Sequence, residues 1–282
     1  MRRALDKIIS FFSPKRHDVR YIFSINSGRA GSGYLAELLG TAELVTAFHE
    51  ADPTMTGEYL DMINKRPYQE TFQSRRIKER AIRRISRSLP PDGIYCETNH
   101  MFIKTFFDVI ARSIENVELI ILRRDLSHVL KSFIELGYFS PKNATWPDWM
   151  SSPNAVTAAL RCIGEDHELD QYDLCIGYLM DIEARTLRFQ REYPHMRTHE
   201  VRIEDLSHSP NVEALFSALK IMPTAATREL MGRRINSRDR SKKLFDIPAD
   251  LSYCRDRIAR YQKLASEKGI VLPTTAVLSS IP

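Results

Sequence analysis

The sequence is short of long hydrophobic runs and of cysteine. None of its apolar stretches approaches the about 18 unbroken residues of a membrane span. Its four cysteines, Cys96, Cys162, Cys175 and Cys254, form no CxxC pair and lack the spacing of metal ligands. We therefore expect buried thiols in a reducing compartment, a cytoplasmic location and no bound metal.

The start of the chain differs from the rest in composition. Residues 1–16 combine five basic side chains with scattered apolar ones, which predicts an amphipathic extension over 1–18. Its apolar core is too short for a secretory signal, and no small-residue cleavage site follows. We expect it to pack on the protein or to contact a membrane surface peripherally. No low-complexity linker interrupts 19–270, which predicts a single domain there, followed by a tail over 271–282.

Positive charge exceeds negative charge, and the net charge of +5 with a pI near 9.0 favours an anionic partner. Much of this charge lies in "QSRRIKERAIRRISRSL", residues 73–89, where apolar residues recur at helical spacing and the arginines lie mainly off that stripe. This helix has two interpretations, a solvated basic face or a docking surface for an acidic substrate. We expect no nucleic acid as a partner.

Hydrophobic patterns predict strands that alternate with helices. The strand candidates are 19–25, 44–49, 93–97, 117–124 and 198–203. Such alternation implies an α/β fold in which helices flank a central parallel β-sheet. The second half is rich in helices, which are predicted over 153–193 and over most of 208–267. Residues 139–153, rich in Pro, Trp and Ser, are predicted to form a loop or lid.

Glycine is scarce, with 11 in the chain, yet three lie at 28, 31 and 33, directly after the first predicted strand. A strand, a glycine-rich turn and a helix together aim backbone N–H groups at an anion. Gly28 and Gly33 have the spacing of the phosphate-binding motif GxxxxGK[ST], but Tyr34 and Leu35 occupy its last two positions. The loop therefore lacks the lysine and the magnesium-holding hydroxyl of enzymes that split nucleoside triphosphates. Arg29 supplies a fixed positive charge inside it.

The stretch "SGRAGSGYL" resembles the 5′-phosphosulfate-binding loop of sulfotransferases that use 3′-phosphoadenosine 5′-phosphosulfate (PAPS), most of all the carbohydrate, Golgi-type branch and its bacterial relatives. The residues that match this cofactor-binding loop are Arg29, Ala30, Gly31, Ser32, Gly33 and Tyr34. Hydroxyl residues are usual in the family at Ala30 and Gly33, so one side-chain phosphate contact is missing here. The resemblance implies the sulfotransferase variant of the P-loop fold.

A second stretch, "RDLSHVLKS", follows the 117–124 strand and resembles the 3′-phosphate-binding motif of the same family. Arg124 and Ser132 take its Arg and Ser positions, and Asp125 and Val129 also agree. A register that begins at Arg123 fits worse because it places a lysine at the second position. The alternative is a surface arginine followed by an aspartate that caps the helix.

Three further stretches agree with the family less specifically. "YCETNHMF", residues 95–102, resembles a segment that lines the acceptor site and makes Glu97 and His100 candidate substrate-binding residues. "VRIEDLSHSP", residues 201–210, resembles a late structural strand. Arg238 and Lys242 lie in a basic stretch where the family closes a loop over the nucleotide, although a solvated basic turn is equally compatible with it.

The resemblance implies transfer of a sulfuryl group from PAPS to a hydroxyl, with adenosine 3′,5′-bisphosphate (PAP) as product and no metal. A carbohydrate or glycolipid is the expected acceptor. Arg29 would stabilise the leaving phosphate electrostatically. Related enzymes place a glutamate base about twenty residues after the loop's basic residue, which favours Glu50, with His49, Glu97 and His100 as alternatives. Two other functions stay open, a small-molecule kinase of the P-loop superfamily and a non-catalytic nucleotide- or polyanion-binding protein.

Overall fold

The computed structural model describes residues 19–165, 168–231 and 249–274. The predicted extension 1–18, residues 275–282 of the predicted tail, and the candidate residues Arg238 and Lys242 lie outside these ranges.

Five strands form one wholly parallel sheet in the order β2-β3-β1-β4-β5. They are β1 (Arg20–Ile25), β2 (Val45–His49), β3 (Ile94–Thr98), β4 (Val117–Arg123) and β5 (Arg197–Arg202). Each coincides with a predicted strand, so the predicted α/β class with a central parallel sheet is confirmed. Because β1 is central, the glycine-rich loop leaves the sheet between the carboxyl ends of β3 and β4.

Helices follow the strands and cover both faces of the sheet. They are α1 (Ser32–Gly40), α2 (Glu58–Lys65), α3 (Tyr68–Arg75), α4 (Ile77–Ser86), α5 (Phe107–Ser113), α6 (Leu126–Glu135), α7 (Gln171–Glu192), α8 (Ser209–Leu219), α9 (Ala225–Met231) and α10 (Leu251–Glu267). Within the described ranges, no helix is both long and apolar enough to cross a bilayer.

Two apolar cores result from the alternation of side chains along the strands. On one face, Ile22 and Ile120 pack with α1 and α8. On the other, Phe23, Leu119 and Ile121 pack with α5, α6, α7 and α10. Since successive strand residues point to opposite faces, a strand covered on both sides is apolar throughout, as the sequence of β1 and β4 is.

One helix prediction needs correction. The described residues of 153–170 are irregular, and the predicted helix begins only at Gln171. The Asp181 carboxylate accepts hydrogen bonds from the N–H groups of Ala159 and Leu160 at 2.6 and 3.0 Å, so tertiary contacts replace the helical ones there. The connection from β3 to β4 begins with a π-helical turn, Phe102–Phe106, and becomes α-helical only in α5.

Candidate active site

The loop after β1 has the backbone of an anion-binding turn. Gly28, Arg29 and Gly31 have φ angles of +80°, +55° and +94°, all in the left-handed region. Backbone turns of this kind direct successive N–H groups into a concave anion site. Helix α1 begins at Ser32, so its free N-terminal N–H groups follow directly. Asn26 holds the loop's first turn, because its buried side-chain oxygen accepts a hydrogen bond from the Gly28 N–H at 3.0 Å.

Close neighbours explain why glycine is needed within this loop. A Cβ on Gly31 would lie 2.6 Å from the Ile203 side chain, which leaves no space for one. A Cβ on Gly28 would lie 3.4 Å from Nδ1 of His100, and one on Gly33 would lie 3.6 Å from the His49 ring. Two histidines from the β2 and β3 side therefore lie directly against the loop.

The two predicted phosphate-binding motifs meet in space. Nε of Arg29 donates to Oγ of Ser132 at 3.0 Å, although the two residues are 103 positions apart. Nη1 of Arg124 donates to the carbonyl oxygen of Arg29 at 3.2 Å. Two guanidinium groups and a hydroxyl thus gather at the carboxyl ends of β1 and β4, and such groups match phosphate oxygens in geometry and charge.

The neighbours of Arg124 have different roles. Arg123 forms ion pairs with Glu183 at 3.1 Å and Glu200 at 2.9 Å. Asp125 caps α6 by accepting from the N–H groups of Ser127 and His128. The cap begins the helix that carries Ser132, so the capping role and the motif are compatible.

Glu50 lies beside both histidines at the end of β2. Its Oε1 is 3.5 Å from Nε2 of His100 and 4.0 Å from Nε2 of His49. Its φ angle is +55°, an unusual conformation for a glutamate, and its N–H donates to the Thr98 carbonyl at 3.1 Å. His49 is held in turn, because its Nδ1 lies 3.1 Å from the same carbonyl.

His100 is buried and has a buried lysine behind it. Its Nδ1 lies 2.9 Å from Nζ of Lys104, and its ring stacks on Trp149 with centroids 6.3 Å apart. Burial lowers the pKa of His100 well below its usual value, and the Lys104 charge lowers it further. The imidazole is therefore neutral at neutral pH.

The charges of Arg29 and Glu50 both act on the Tyr138 phenol. Burial raises the pKa of Tyr138, the Arg29 charge lowers it, and the Glu50 charge raises it again. Arg29 and Glu50 are therefore both near enough to Tyr138 for their charges to shift its pKa. Tyr138 lies after α6 and directly before the predicted loop or lid, residues 139–153.

Glu97 is buried and fully hydrogen-bonded within the protein. It has no exposed surface, and its carboxylate accepts hydrogen bonds from Lys78 at 2.6 Å, Tyr95 at 2.7 Å and Asn99 at 2.9 Å. The same Lys78 ammonium donates to the carbonyl of Ala51 at 2.6 Å. Through Lys78, Glu97 thus helps to hold the segment that follows Glu50.

The remaining predicted loop residues are held by contacts within the protein. Ala30 and Ser32 are buried, and the Ser32 carbonyl accepts from Oγ1 of Thr98 at 2.8 Å. The Tyr34 hydroxyl donates to the Leu206 carbonyl at 3.2 Å and so ties α1 to the segment after β5. Within the described ranges, no three His, Cys, Asp or Glu side chains cluster as metal ligands would.

Sequence reasoning missed two residues of this region, Asn26 and Lys104. Asn26 directly follows a buried strand, and an Asn in that position often hydrogen-bonds to backbone two residues on. Lys104 is a single lysine in the apolar run "MFIKTFF", four residues after His100. A charge in a buried helical stretch needs a partner, and the spacing of four pointed to the histidine.

No family model matches the chain, and no curated protein matches it significantly. Solved structures that it resembles include a sulfotransferase from Alicyclobacillus acidocaldarius, with a TM-score of 0.48, 11% identity, and coverage of 90% of this chain and 97% of that one. For a sulfotransferase domain from the curacin biosynthetic pathway, the TM-score is 0.46 and the identity 15%, with coverage of 90% of this chain and 99% of that one. For sulfotransferase STF1 from Mycobacterium tuberculosis, the TM-score is 0.42 and the identity 10%, with coverage of 86% of this chain and 76% of that one. At these values, the activity of this chain has to be argued from its own residues.

Proposed function

We propose that this protein transfers the sulfuryl group of PAPS to a hydroxyl of an acceptor. One observation carries the proposal: the Arg29 guanidinium and the Ser132 hydroxyl, from two motifs 103 residues apart, lie 3.0 Å from each other beside an anion-binding loop. Each motif taken alone has an ordinary structural explanation. The two motifs converge at the carboxyl ends of parallel strands, where ligands of such folds bind. This convergence favours a ligand with two separated phosphate groups.

The residues at this edge fit such a donor. The loop N–H groups from Gly31 to Tyr34 and the Arg29 guanidinium would bind the 5′-phosphosulfate. Arg124 and Ser132 would bind the 3′-phosphate, since guanidinium and hydroxyl groups donate to phosphate oxygens. Bound there, PAPS supplies an activated sulfuryl group. The arginines can neutralise the charge of the donor without a metal ion.

Arg29 and Glu50 are the residues to which we assign the chemistry. A guanidinium remains protonated, so the role of Arg29 is to stabilise negative charge on the leaving phosphate rather than to donate a proton. Glu50 would accept the proton of the acceptor hydroxyl, which is a poor nucleophile at neutral pH. Its place at the carboxyl end of β2, beside His49 and His100, supports this role. His49, which contacts Gly33, and His100 are the neighbours that could replace it.

Two aromatic side chains of this region bear on the acceptor class. Trp149 stacks on His100, and Tyr138 is near enough to Arg29 and Glu50 for both charges to shift its pKa. Aromatic faces of this kind can stack on a sugar ring. A carbohydrate or glycolipid hydroxyl is therefore the acceptor that we propose to test first.

Ligand-induced stabilisation of the full chain tests the donor. PAP at a hundredfold excess over its dissociation constant should stabilise the protein by about 2.7 kcal/mol, seen as a rise in Tm. AMP lacks the second phosphate and should stabilise it much less at the same concentration. Stabilisation by ATP that requires magnesium, without any by PAP, would instead indicate the kinase. PAP binding without PAPS turnover on a panel of hydroxyl acceptors would indicate a non-catalytic binding protein.

A further inference from the structure

Lys104 is a fully buried lysine to which the proposed reaction assigns no role. It lies in the π-helical turn Phe102–Phe106, and irregular turns of this type are frequent at functional sites. Its Nζ has three close polar neighbours: the Trp149 carbonyl at 2.7 Å, Nδ1 of His100 at 2.9 Å and the Tyr178 hydroxyl at 3.1 Å. A buried ammonium has three hydrogens to donate, and three neighbours surround it.

The neighbours determine where the hydrogens lie. The Trp149 carbonyl can only accept. The Tyr178 hydroxyl donates its own hydrogen to the Ser27 carbonyl at 3.0 Å, so toward Lys104 it also accepts. Two N–H groups of Lys104 are thereby fixed, and the remaining position of the nitrogen faces Nδ1 of His100.

Two arrangements of that last contact are conceivable. Lys104 as an ammonium donates to a bare Nδ1, and the neutral imidazole then carries its hydrogen on Nε2. Lys104 as an amine accepts from Nδ1–H, and Nε2 then presents a lone pair to Oε1 of Glu50 at 3.5 Å. In the second arrangement, the lone pair of Nε2 and the carboxylate oxygen Oε1 face each other without a hydrogen between them. The first arrangement is therefore favoured. Burial lowers the pKa of Lys104 well below its usual value and the Arg185 charge lowers it further, whereas the Glu50 charge raises it.

We propose that Lys104 is a positioning residue that fixes His100 as the neutral Nε2–H tautomer and thereby turns a hydrogen-bond donor toward Oε1 of Glu50. Both histidines approach this oxygen, while Oε2 has no hydrogen bond to the described part of the chain. Oε2 is then the oxygen that takes the acceptor's proton. The catalytic part of this inference rests on the proposed function, but the tautomer does not.

Nitrogen NMR of the full chain, labelled with ¹⁵N-histidine, tests the tautomer without any substitution. The chain has eight histidines, and loss of one set of signals in His100→Gln assigns those of His100. We expect a pyridine-type shift for Nδ1 and a pyrrole-type shift for Nε2 at neutral pH. A pyrrole-type Nδ1 in the wild type would overturn the proposal.

Lys104→Met removes the donor and keeps the length of the side chain. Its His100 signals should move toward a mixture of tautomers, and kcat should fall about tenfold or more while the KM for the donor stays constant, as for other residues that orient a reacting group. Lys78→Met is the matched control, because it removes a buried ammonium that does not contact His100 and should leave the Nδ1 signal in place. Circular dichroism shows whether each variant is folded.

The outcomes separate this inference from the proposed function. An unchanged tautomer or an unchanged kcat in folded Lys104→Met would overturn the positioning role. A wild-type protein that shows the expected Nδ1 shift but transfers no sulfuryl group would contradict the proposed function and leave the tautomer assignment intact.

Discussion

Glu50 combines an unfavourable backbone with a place beside the candidate donor site. A left-handed conformation costs a residue with a Cβ about 1–2 kcal/mol. The hydrogen bond of its N–H to the Thr98 carbonyl offsets part of this cost and turns the side chain toward His49 and His100. Conformations of this kind persist when the surroundings determine them, and they cluster at functional sites.

We expect Glu50→Gln to bind the donor normally but to lose transfer activity. The amide keeps the size of the side chain and cannot take a proton, and a positioned base contributes about 10²–10⁴-fold. Turnover at saturating donor and acceptor measures the effect, and calorimetry with PAP checks donor binding. Near-normal turnover in Glu50→Gln, together with inactivity of His49→Ala, would assign the base to His49.

Arg29→Ala should lower kcat by a hundredfold or more, which corresponds to the about 2.7–4 kcal/mol lost with a single electrostatic stabiliser. Donor affinity should fall less, because the loop N–H groups and Arg124 remain. The measurement is turnover at saturating PAPS. Poor donor binding with normal turnover at saturation would limit Arg29 to anchoring the donor.

Arg124→Ala and Ser132→Ala should weaken PAP by about 1.5–3 kcal/mol each, the value of a charge-assisted hydrogen bond. Binding of adenosine 5′-phosphosulfate, which has no 3′-phosphate, should change much less. Calorimetric titration of both ligands gives the ratio of affinities. Arg123→Ala is the matched control, since Arg123 pairs with Glu183 and Glu200, and its ratio should equal that of the wild type. Equal losses for both ligands in the Arg124 and Ser132 variants would contradict the assignment.

At the scale of elements, the loop between β1 and α1 depends on the segment after β5. Gly31 has a φ of +94°, and the Ile203 side chain occupies the space where a Cβ would lie, 2.6 Å away. The loop therefore holds its shape only while that segment packs against it.

Gly31→Ala should lower the free energy of unfolding by about 1–3 kcal/mol, through backbone strain and overpacking. Gly33→Ala is the control within the same element. Gly33 lies in α1, and its added methyl would meet the His49 ring at an ordinary 3.6 Å. Its stability should be equal to or slightly above that of the wild type, because alanine favours helix over glycine. Urea unfolding measures both, and equal stabilities would show that Ile203 adjusts freely.

Elements whose pattern is local could be predicted from the sequence, and contacts between them could not. β1 and β4 were predictable because continuous apolar runs identify buried strands, and the motif after each strand marked its end. The burial of Glu97 could not be predicted, because only the packing of α4 shows that Lys78 covers this side chain. The segment 153–170 was misjudged because Asp181, on another element, holds it.

At the scale of the whole molecule, one sheet provides both halves of the candidate site. β1 and β4 position the groups to which we assign phosphate binding, while β2 and β3 position Glu50 and His100. Toward the amino-terminal ends of the strands, Glu118 on β4 contacts both neighbouring strands. Its carboxylate pairs with Arg20 on β1 at 2.8 Å and with His199 on β5 at 3.0 Å. The stability of this junction bears on the site because it keeps β4 in register with both neighbours.

The Glu118 junction predicts a specific loss of stability in acid. Burial alone would raise the pKa of Glu118, but hydrogen bonds from His199 and Arg20 lower it below its usual value of 4.5. A carboxyl whose pKa is lower in the folded state stabilises the protein above its unfolded pKa, and this contribution disappears as the pH falls through the folded one. Glu118→Gln should therefore cost about 1.5–3 kcal/mol at pH near 7, and the difference from wild type should shrink below about pH 4. Urea unfolding across this range measures it, with the exposed neighbour Glu115→Gln as control. A constant difference at all pH values would show that packing, not ionisation, accounts for the effect of Glu118.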